Sequence, residues 1–189
     1  MSVRNSRGFT VIELLTVVVI VGVLAAVATP SFRSMRLNSQ ISAMSGDMVA
    51  TLNRARSLAI STRTPVFVVR GPGAPAAEVW PDGWRLLRGA TLATATLVTS
   101  VQRSGSSSDV NLVVTNGAVD MAGTAAGVAI TGLAFNNFGQ LMAPDGTALA
   151  QASIIICSTA SASESGRAIT VSRIGRIGNR TVTNPASCG

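Results

Sequence analysis

The sequence contains no histidine, lysine or tyrosine, and aromatic residues make up only 4% of its 189 residues. Without histidine, the chain lacks the commonest general base, the commonest metal ligand and every Ser-His or Cys-His nucleophile pair. Acidic residues are also scarce, and those after the first apolar run are spaced singly, so the sequence offers no pair of carboxylates for acid–base catalysis. The glycines form no phosphate-binding loop. The sequence therefore predicts a protein that is not an enzyme and that uses no cofactor and no metal ion.

Charged residues are few, at 12%, whereas apolar residues reach 47% and the mean hydropathy is +0.44. The apolar residues are sufficient for a hydrophobic core, and the charged residues are too few for a disordered chain. The high mean hydropathy indicates a membrane segment. The formal net charge is +7, and every basic residue is arginine. The length predicts one modest domain with additions.

The longest apolar run covers residues 9–28, which would span about 30 Å as a helix and so match a bilayer core. Arg4 and Arg7 precede it, and the next basic residue is Arg33. The positive-inside rule then keeps the N-terminus in the cytoplasm and sends the remainder outward. A cleaved secretory signal, with residues 25–28 as its cleavage site, and a plain signal anchor are the competing interpretations.

Two residues argue against both alternatives. Glu13 lies early in the apolar run, where a carboxylate costs up to about 2.5–3.5 kcal/mol on insertion scales and usually has a partner. Gly8 precedes the run on the cytoplasmic side, and glycine suits a peptidase that needs close approach to the backbone.

Residues 7–15, Arg-Gly-Phe-Thr-Val-Ile-Glu-Leu-Leu, resemble the prepilin signature of type IV pilins and type II secretion pseudopilins. The resemblance implies that a prepilin peptidase cuts between Gly8 and Phe9 and N-methylates Phe9. It also implies that Glu13 pairs with the amino terminus of a neighbouring subunit, which would neutralise the carboxylate inside a filament. Residues 1–8 are then a leader, and residues 9–29 a transmembrane and assembly helix.

A second helical segment is expected over residues 30–64. Pro30 should kink one long helix rather than end it, as the resemblance to pilins implies, and Pro65 should close it. Apolar residues recur at spacings of three and four, which predicts one buried face on a sheet. These residues are Ile41, Met44, Met48, Leu52, Ala55 and Ala59.

Residues 65–189 predict an antiparallel β-domain, because short β-forming runs alternate with Gly, Pro, Asn, Asp and Ser clusters. The predicted strands are 66–69, 84–87, 97–101, 110–114, 128–130, 133–135, 153–156 and 168–171. Residues 179–189 are expected to form a polar tail. The fold class is α+β and type IV pilin-like, with one long N-terminal helix packed on the sheet domain.

Four downstream segments narrow the resemblance to the GspH/FimT branch of this family. They are residues 55–60, 80–87, 130–139 and 168–176, which occur in the order that the branch shows. Residues 91–127 match no part of the pattern. The resemblance implies a structural minor pilin or pseudopilin that assembles into, initiates or caps a type IV pilus.

The two cysteines, Cys157 and Cys188, are expected to form a disulfide, since the domain lies outside the cytoplasm. Such a bond would close a loop of roughly 30 residues and stabilise by about 3–4 kcal/mol. Two isolated cysteines without histidine provide too few ligands for a metal ion.

Arginines Arg173, Arg176 and Arg180 form a basic C-terminal stretch and are candidate DNA contacts. Some FimT proteins bind DNA through a C-terminal Gly-Arg-x-Arg motif, whereas here the second arginine, Arg180, comes two positions late. No aromatic residue lies nearby to stack on bases. The alternative is a solvated tail with unpaired arginines.

Three functions therefore stay open. The first is the type IV pilus subunit, the second a GspH-like pseudopilin of a type II secretion system, and the third a DNA-binding minor pilin for natural transformation. The expected partners are other pilins, the prepilin peptidase, the inner membrane and DNA. The expected location is the bacterial inner membrane, as a single-pass protein with a cytoplasmic N-terminus and a periplasmic domain, and then the filament.

Overall fold

The computed structural model describes residues 9–71, 80, 83–102, 110–120, 124–159 and 165–183. One helix, α1, covers Val11–Thr62, and the chain divides into two compact units, Met1–Arg36 and Leu37–Gly189. The helix continues through Pro30. The kink at Pro30 and the division of the helix after residue 29 therefore stay predictions.

The second unit contains two antiparallel sheets. The first has the order β3-β2-β1-β5-β6, and the second has the order β4-β7-β8-β9. The strands are β1 Val66–Arg70, β2 Gly83–Arg88, β3 Thr96–Gln102, β4 Val110–Thr115, β5 Gly132–Phe135, β6 Leu141–Met142, β7 Gln151–Ser158, β8 Ser165–Ser172 and β9 Ile177–Thr183. This arrangement confirms the expected α+β fold of a long helix on antiparallel sheets.

The apolar stripe of α1 packs against both sheets. All six residues that the spacing predicts are buried, with an exposed fraction of at most 1%, and Leu37 extends the stripe towards the N-terminus. They share one core cluster with the inward-facing residues of both sheets. Within it, the indole N–H of Trp84 donates to Thr51 Oγ1 at 2.9 Å, so the polar atom of the largest buried side chain is satisfied.

Each sheet also buries part of its second face. On the first sheet, Phe67 and Val69 pack under Leu92 and Ala95, around a short 3₁₀ helix. On the second sheet, Cys157 and Val182 belong to a smaller buried cluster. The first four residues of β1 are therefore buried on both faces of the sheet, which explains the unbroken apolar run of residues 66–69.

The strands differ from the prediction in three places. Residues 128–130 form a single bridge, Ala129 to Thr115, instead of a strand. Strand β6 was not predicted, because two residues carry no periodic signal. Assigning residues 179–183 to a polar tail was wrong, because Ile177–Thr183 forms the edge strand β9. Most residues of β9 are exposed, so its sequence lacks the apolar alternation by which strands are recognised.

Candidate assembly segment and basic turn

The first turn of α1 is closed by Thr10 and Glu13. Thr10 donates to Glu13 Oε2 from its backbone N–H at 3.0 Å and from its hydroxyl at 3.1 Å. In return, the backbone N–H of Glu13 donates to Thr10 Oγ1 at 3.3 Å. This is a capping box, in which Thr10 is the N-cap and Glu13 is the third helical residue.

The capping box leaves part of the Glu13 carboxylate available. Both of its hydrogen bonds go to Oε2, and the group lies on the surface. Oε1 can therefore accept from an additional donor without breaking the cap. The negative charge also lies in the first turn, where the helix dipole favours it.

The residues after the cap are apolar on every face of the helix. Those from Val11 to Leu24 are exposed around the whole circumference, and Phe9 at the start is 88% exposed. An all-round apolar helix needs surroundings that cover it on all sides. Within the described part of the chain, no helix combines the length and the apolar character required for a membrane span.

Gly8, Arg4 and Arg7 lie outside the described residues, which begin at Phe9. The cleavage and methylation sites therefore stay predictions.

Two hairpin turns from different sheets meet at Arg56 of α1. Its Nε donates to the Gly139 carbonyl at 3.3 Å, in the turn between β5 and β6. One terminal nitrogen donates to the Ile174 carbonyl at 3.2 Å, in the turn between β8 and β9. One guanidinium thus joins the helix to both sheets through carbonyl groups that the turns expose.

The turn between β8 and β9 carries two of the candidate DNA-binding arginines. Arg173 and Arg176 are both exposed there. The turn is closed by the Ser172 N–H donating to the Arg176 carbonyl at 2.9 Å, and by the Gly175 N–H donating to the Ser172 carbonyl at 2.8 Å.

Arg180 lies away from that turn, on β9, opposite Ala168 of β8. Its guanidinium donates to the carbonyl oxygens of Val119 and Asp120 at 2.5 and 2.6 Å. The structure therefore groups Arg173 with Arg176 and gives Arg180 a structural contact. The alternative of a tail with unpaired arginines is wrong at Arg180.

Cys157 lies in β7 and is 1% exposed, whereas Cys188 is outside the described residues. The disulfide between them stays a prediction. Among the described residues, no three His, Cys, Asp or Glu side chains are close enough to hold a metal ion.

Two features of these sites were not recognised from the sequence. The capping box has a sequence signal, because Thr10 is followed three residues later by Glu13. The contacts of Arg56 have none, since its two acceptors are 83 and 118 residues away.

Two family models match this sequence. The model described as type II transport protein GspH matches residues 45–175. The model described as the prokaryotic N-terminal methylation motif matches residues 3–29. The GspH match covers most of the β-domain and about the last third of α1, residues 45–62. The methylation-motif match covers the cap and the apolar run.

Individual proteins resemble parts of the chain. The type IV major alpha-pilin of Moraxella bovis is 37% identical over 61 residues, which is 32% of this chain and 38% of that pilin. The crystal structure of the type IV minor pilin FimU of Pseudomonas aeruginosa superposes with a TM-score of 0.51 at 20% identity, covering 76% of this chain and 90% of FimU. At that identity the likeness concerns the fold alone.

Proposed function

The chain belongs to the GspH family of type II transport proteins, and we propose that it is a structural minor pilin of a type IV pilus. In this role it assembles into, initiates or caps a filament that grows from the inner membrane. The role requires no catalysis and no cofactor. The observation that carries the proposal is the joint presence of the methylation motif at residues 3–29 and the GspH domain at residues 45–175.

The geometry of the N-terminal segment supports assembly through α1. An apolar helix that is exposed on all sides suits both a bilayer and the interior of a helical filament. The Glu13 carboxylate is held at the first turn by Thr10 and keeps Oε1 for a donor. The N-methylated amino group of a neighbouring subunit is the donor that we propose.

Processing by the prepilin peptidase provides the first test. We expect Gly8→Val to leave an uncleaved precursor in the inner membrane, which immunoblotting and intact-mass measurement would detect. Ser6→Ala, two residues earlier in the leader, is the matched control and should be cleaved normally. Normal maturation of the Gly8 variant would overturn the prepilin assignment.

A second test addresses assembly separately from processing. We expect Glu13→Gln to be cleaved and methylated but depleted from sheared filaments, because the neutral amide cannot neutralise the neighbouring amino group. Thr10→Ala removes the cap but keeps the carboxylate, so it should retain most of its incorporation. Equal incorporation of the Glu13 variant and the wild type would contradict the assembly role.

We also propose the location that these features favour: a single-pass inner membrane protein whose N-terminus is cytoplasmic and whose β-domain is periplasmic. Arg4 and Arg7 support this orientation, since no basic residue follows until Arg33. A disulfide between Cys157 and Cys188 would then form in the periplasm. Non-reducing electrophoresis after thiol alkylation would test that bond.

A GspH-like pseudopilin of a type II secretion system is the alternative within the same class. A subunit of either assembly, the type IV pilus or the type II secretion system, would have the same cleavage site, Glu13 and β-domain. By resemblance, the cysteine pair near the C-terminus favours the pilus. Deleting the gene should abolish or reduce surface pili if the proposal is correct, whereas loss of protein secretion with normal pili would establish the alternative.

DNA binding for natural transformation is the candidate of another class, and the exposed pair Arg173 and Arg176 is the observation that favours it. If DNA binds there, replacing both arginines by alanine should weaken duplex binding and reduce its salt slope by roughly one for each phosphate that is no longer neutralised. Arg180 is not a suitable test position, because its guanidinium already contacts two backbone carbonyls. An unshifted duplex at low salt would exclude this candidate.

A further inference from the structure

Three large apolar side chains are exposed where the two hairpin turns meet α1. They are Phe138 at 74%, Ile174 at 65% and Ile60 at 46%, and we call them the apolar patch. Gly139 lies directly against Ile60, and Gly175 lies against the Gly139 carbonyl. The residues that follow Phe138 and Ile174 in the chain are therefore in contact with each other.

The turn that carries Phe138 is fixed by Asn136. The side-chain oxygen of Asn136 accepts from the backbone N–H groups of Phe138 at 3.0 Å and Gln140 at 2.9 Å. The Gly139 N–H donates to the Asn136 carbonyl at 2.8 Å. The aromatic ring is therefore presented from an ordered turn, which lowers the entropy lost when a partner covers it.

The turn that carries Ile174 is fixed as well. The Ser172 hydroxyl accepts from the Arg176 N–H at 3.1 Å, and Arg56 binds the Ile174 carbonyl. Gly139 and Gly175 have φ angles of +74° and +76°, which favour glycine. A Cβ on Gly175 would overlap the Gly139 carbonyl oxygen, so the close approach of the two turns requires glycine there.

The surroundings of the patch are positively charged. Arg173 and Arg176 are exposed on the turn of Ile174, and the Arg56 guanidinium lies between the two turns. None of the segments that build the patch, residues 54–63, 136–141 and 172–178, contains Asp or Glu. A partner that covers the patch must therefore supply negative charge around an apolar centre.

We propose that the apolar patch is the docking surface for a different pilin-like subunit of the same filament, whose contacting face has an apolar centre surrounded by carboxylates. A second copy of this chain, after loss of Arg4 and Arg7 with the leader, would bring 13 arginines against 8 acidic residues, a net charge of +5, towards the same arginines, so the contact is between unlike subunits. Phe138, Ile174 and Ile60 at the centre favour a protein over DNA, because they offer a phosphate backbone nothing to bind. This inference rests on the proposed function, since it requires a filament with several subunit types.

The test uses the full-length chain in detergent. The probes are the other chains of the source cell that carry a leader, Gly-Phe and a glutamate five residues into the mature sequence, each purified full length. We expect one of them, with an acidic surface, to bind. Phe138→Ser and Ile174→Ser should each raise its Kd by roughly tenfold or more. Arg176→Glu should also raise the Kd, by an amount that shrinks as salt increases.

Val128→Ser is the matched control, because Val128 is an apolar residue that is 70% exposed and outside the patch. It should bind with the wild-type Kd. Unchanged affinity in all the patch variants, or no binding by any probe, would overturn the inference. The inference would also be overturned if the patch variants lost affinity for a 30-base-pair duplex but bound the subunit with the wild-type Kd. That result would assign the turn to DNA binding.

Filament incorporation separates this inference from the proposed function. If Glu13→Gln is excluded from filaments while Phe138→Ser and Ile174→Ser enter them like the wild type, the patch proposal alone fails. If Glu13→Gln enters filaments normally, the proposed function fails. If the patch variants are processed normally but depleted from filaments, both proposals are supported.

Discussion

The hydrogen bond between Trp84 and Thr51 should couple α1 to β2 energetically. Replacing Thr51 by valine keeps the shape of the side chain but removes the acceptor 2.9 Å from Trp84 Nε1. Trp84 is fully buried, so its N–H would lose its partner without gaining water. We expect the free energy of unfolding to fall by about 1–3 kcal/mol, the cost of an unsatisfied buried donor.

A double-mutant cycle isolates this bond. Trp84→Phe removes the donor, so in that background Thr51→Val should lose only the hydrogen bond that its hydroxyl donates to the Asp47 carbonyl at 2.8 Å. The cost of Thr51→Val should therefore be smaller there than in the wild type, and the difference gives a coupling free energy of about 1–2 kcal/mol. Thr51→Ser keeps the acceptor and loses one buried methyl group. Its cost of about 0.8 kcal/mol should be the same in both backgrounds.

Urea unfolding of a fragment that begins at Leu37 measures every variant of the cycle, because that unit contains the whole described core. Circular dichroism is the suitable signal, since Trp84→Phe removes a fluorophore. With a slope of about 2 kcal/mol per molar urea, Thr51→Val should lower the midpoint by about 0.5–1.5 M. If Thr51→Val costs as much in the Trp84→Phe background as in the wild type, the reasoning is refuted, because the cost could not then come from the indole N–H.

Two other predictions concern turns. Gly175→Ala should destabilise the protein by about 2 kcal/mol or more in urea, because its Cβ would overlap the Gly139 carbonyl oxygen. Gly146→Ala, with positive φ but nothing within 4 Å, should cost less, and equal losses would contradict the steric argument. Hydrogen bonds from the Thr147 hydroxyl and then its backbone N–H lower the pKa of Asp145, so this group stabilises the fold above its ordinary pKa and loses that contribution as pH falls. Thr147→Val should raise that pKa, as NMR titration would measure, and an unchanged value would exclude the hydroxyl as the cause.

The features that the sequence predicts well are periodic or local. The stripe from Ile41 to Ala59 could be recognised because its spacing matches one face of a helix, and burial confirms every member. The eight predicted strands include seven that form, because short runs of β-branched, aromatic or other large apolar residues lie between turn signals.

The features that it does not predict depend on distant contacts. Strand β9 is stabilised by pairing with β8 and by a hydrogen bond from Asn179 to Ser45 of α1, which a local pattern cannot reveal. Arg180 looks like an exposed cation in the sequence, yet it contacts backbone carbonyls 60 and 61 residues away. The apolar patch has no sequence signal for the same reason, because its three residues come from α1 and from two turns in different sheets.

The contact between Asn179 and Ser45 has a kinetic consequence. Asn179 and Ser45 are 134 positions apart in the chain, and Arg56 is 118 positions from Ile174, whose carbonyl it binds. The helix α1 therefore contacts a part of the domain that is synthesised late. Loops of this length must close before the contacts form, so we expect the domain to fold more slowly than a helical bundle of similar length, whose contacts are local. Until β9 arrives, part of the helix surface around Ser45 is uncovered. Completion of the C-terminal end, rather than formation of the helix, would then set when the chain becomes fully folded.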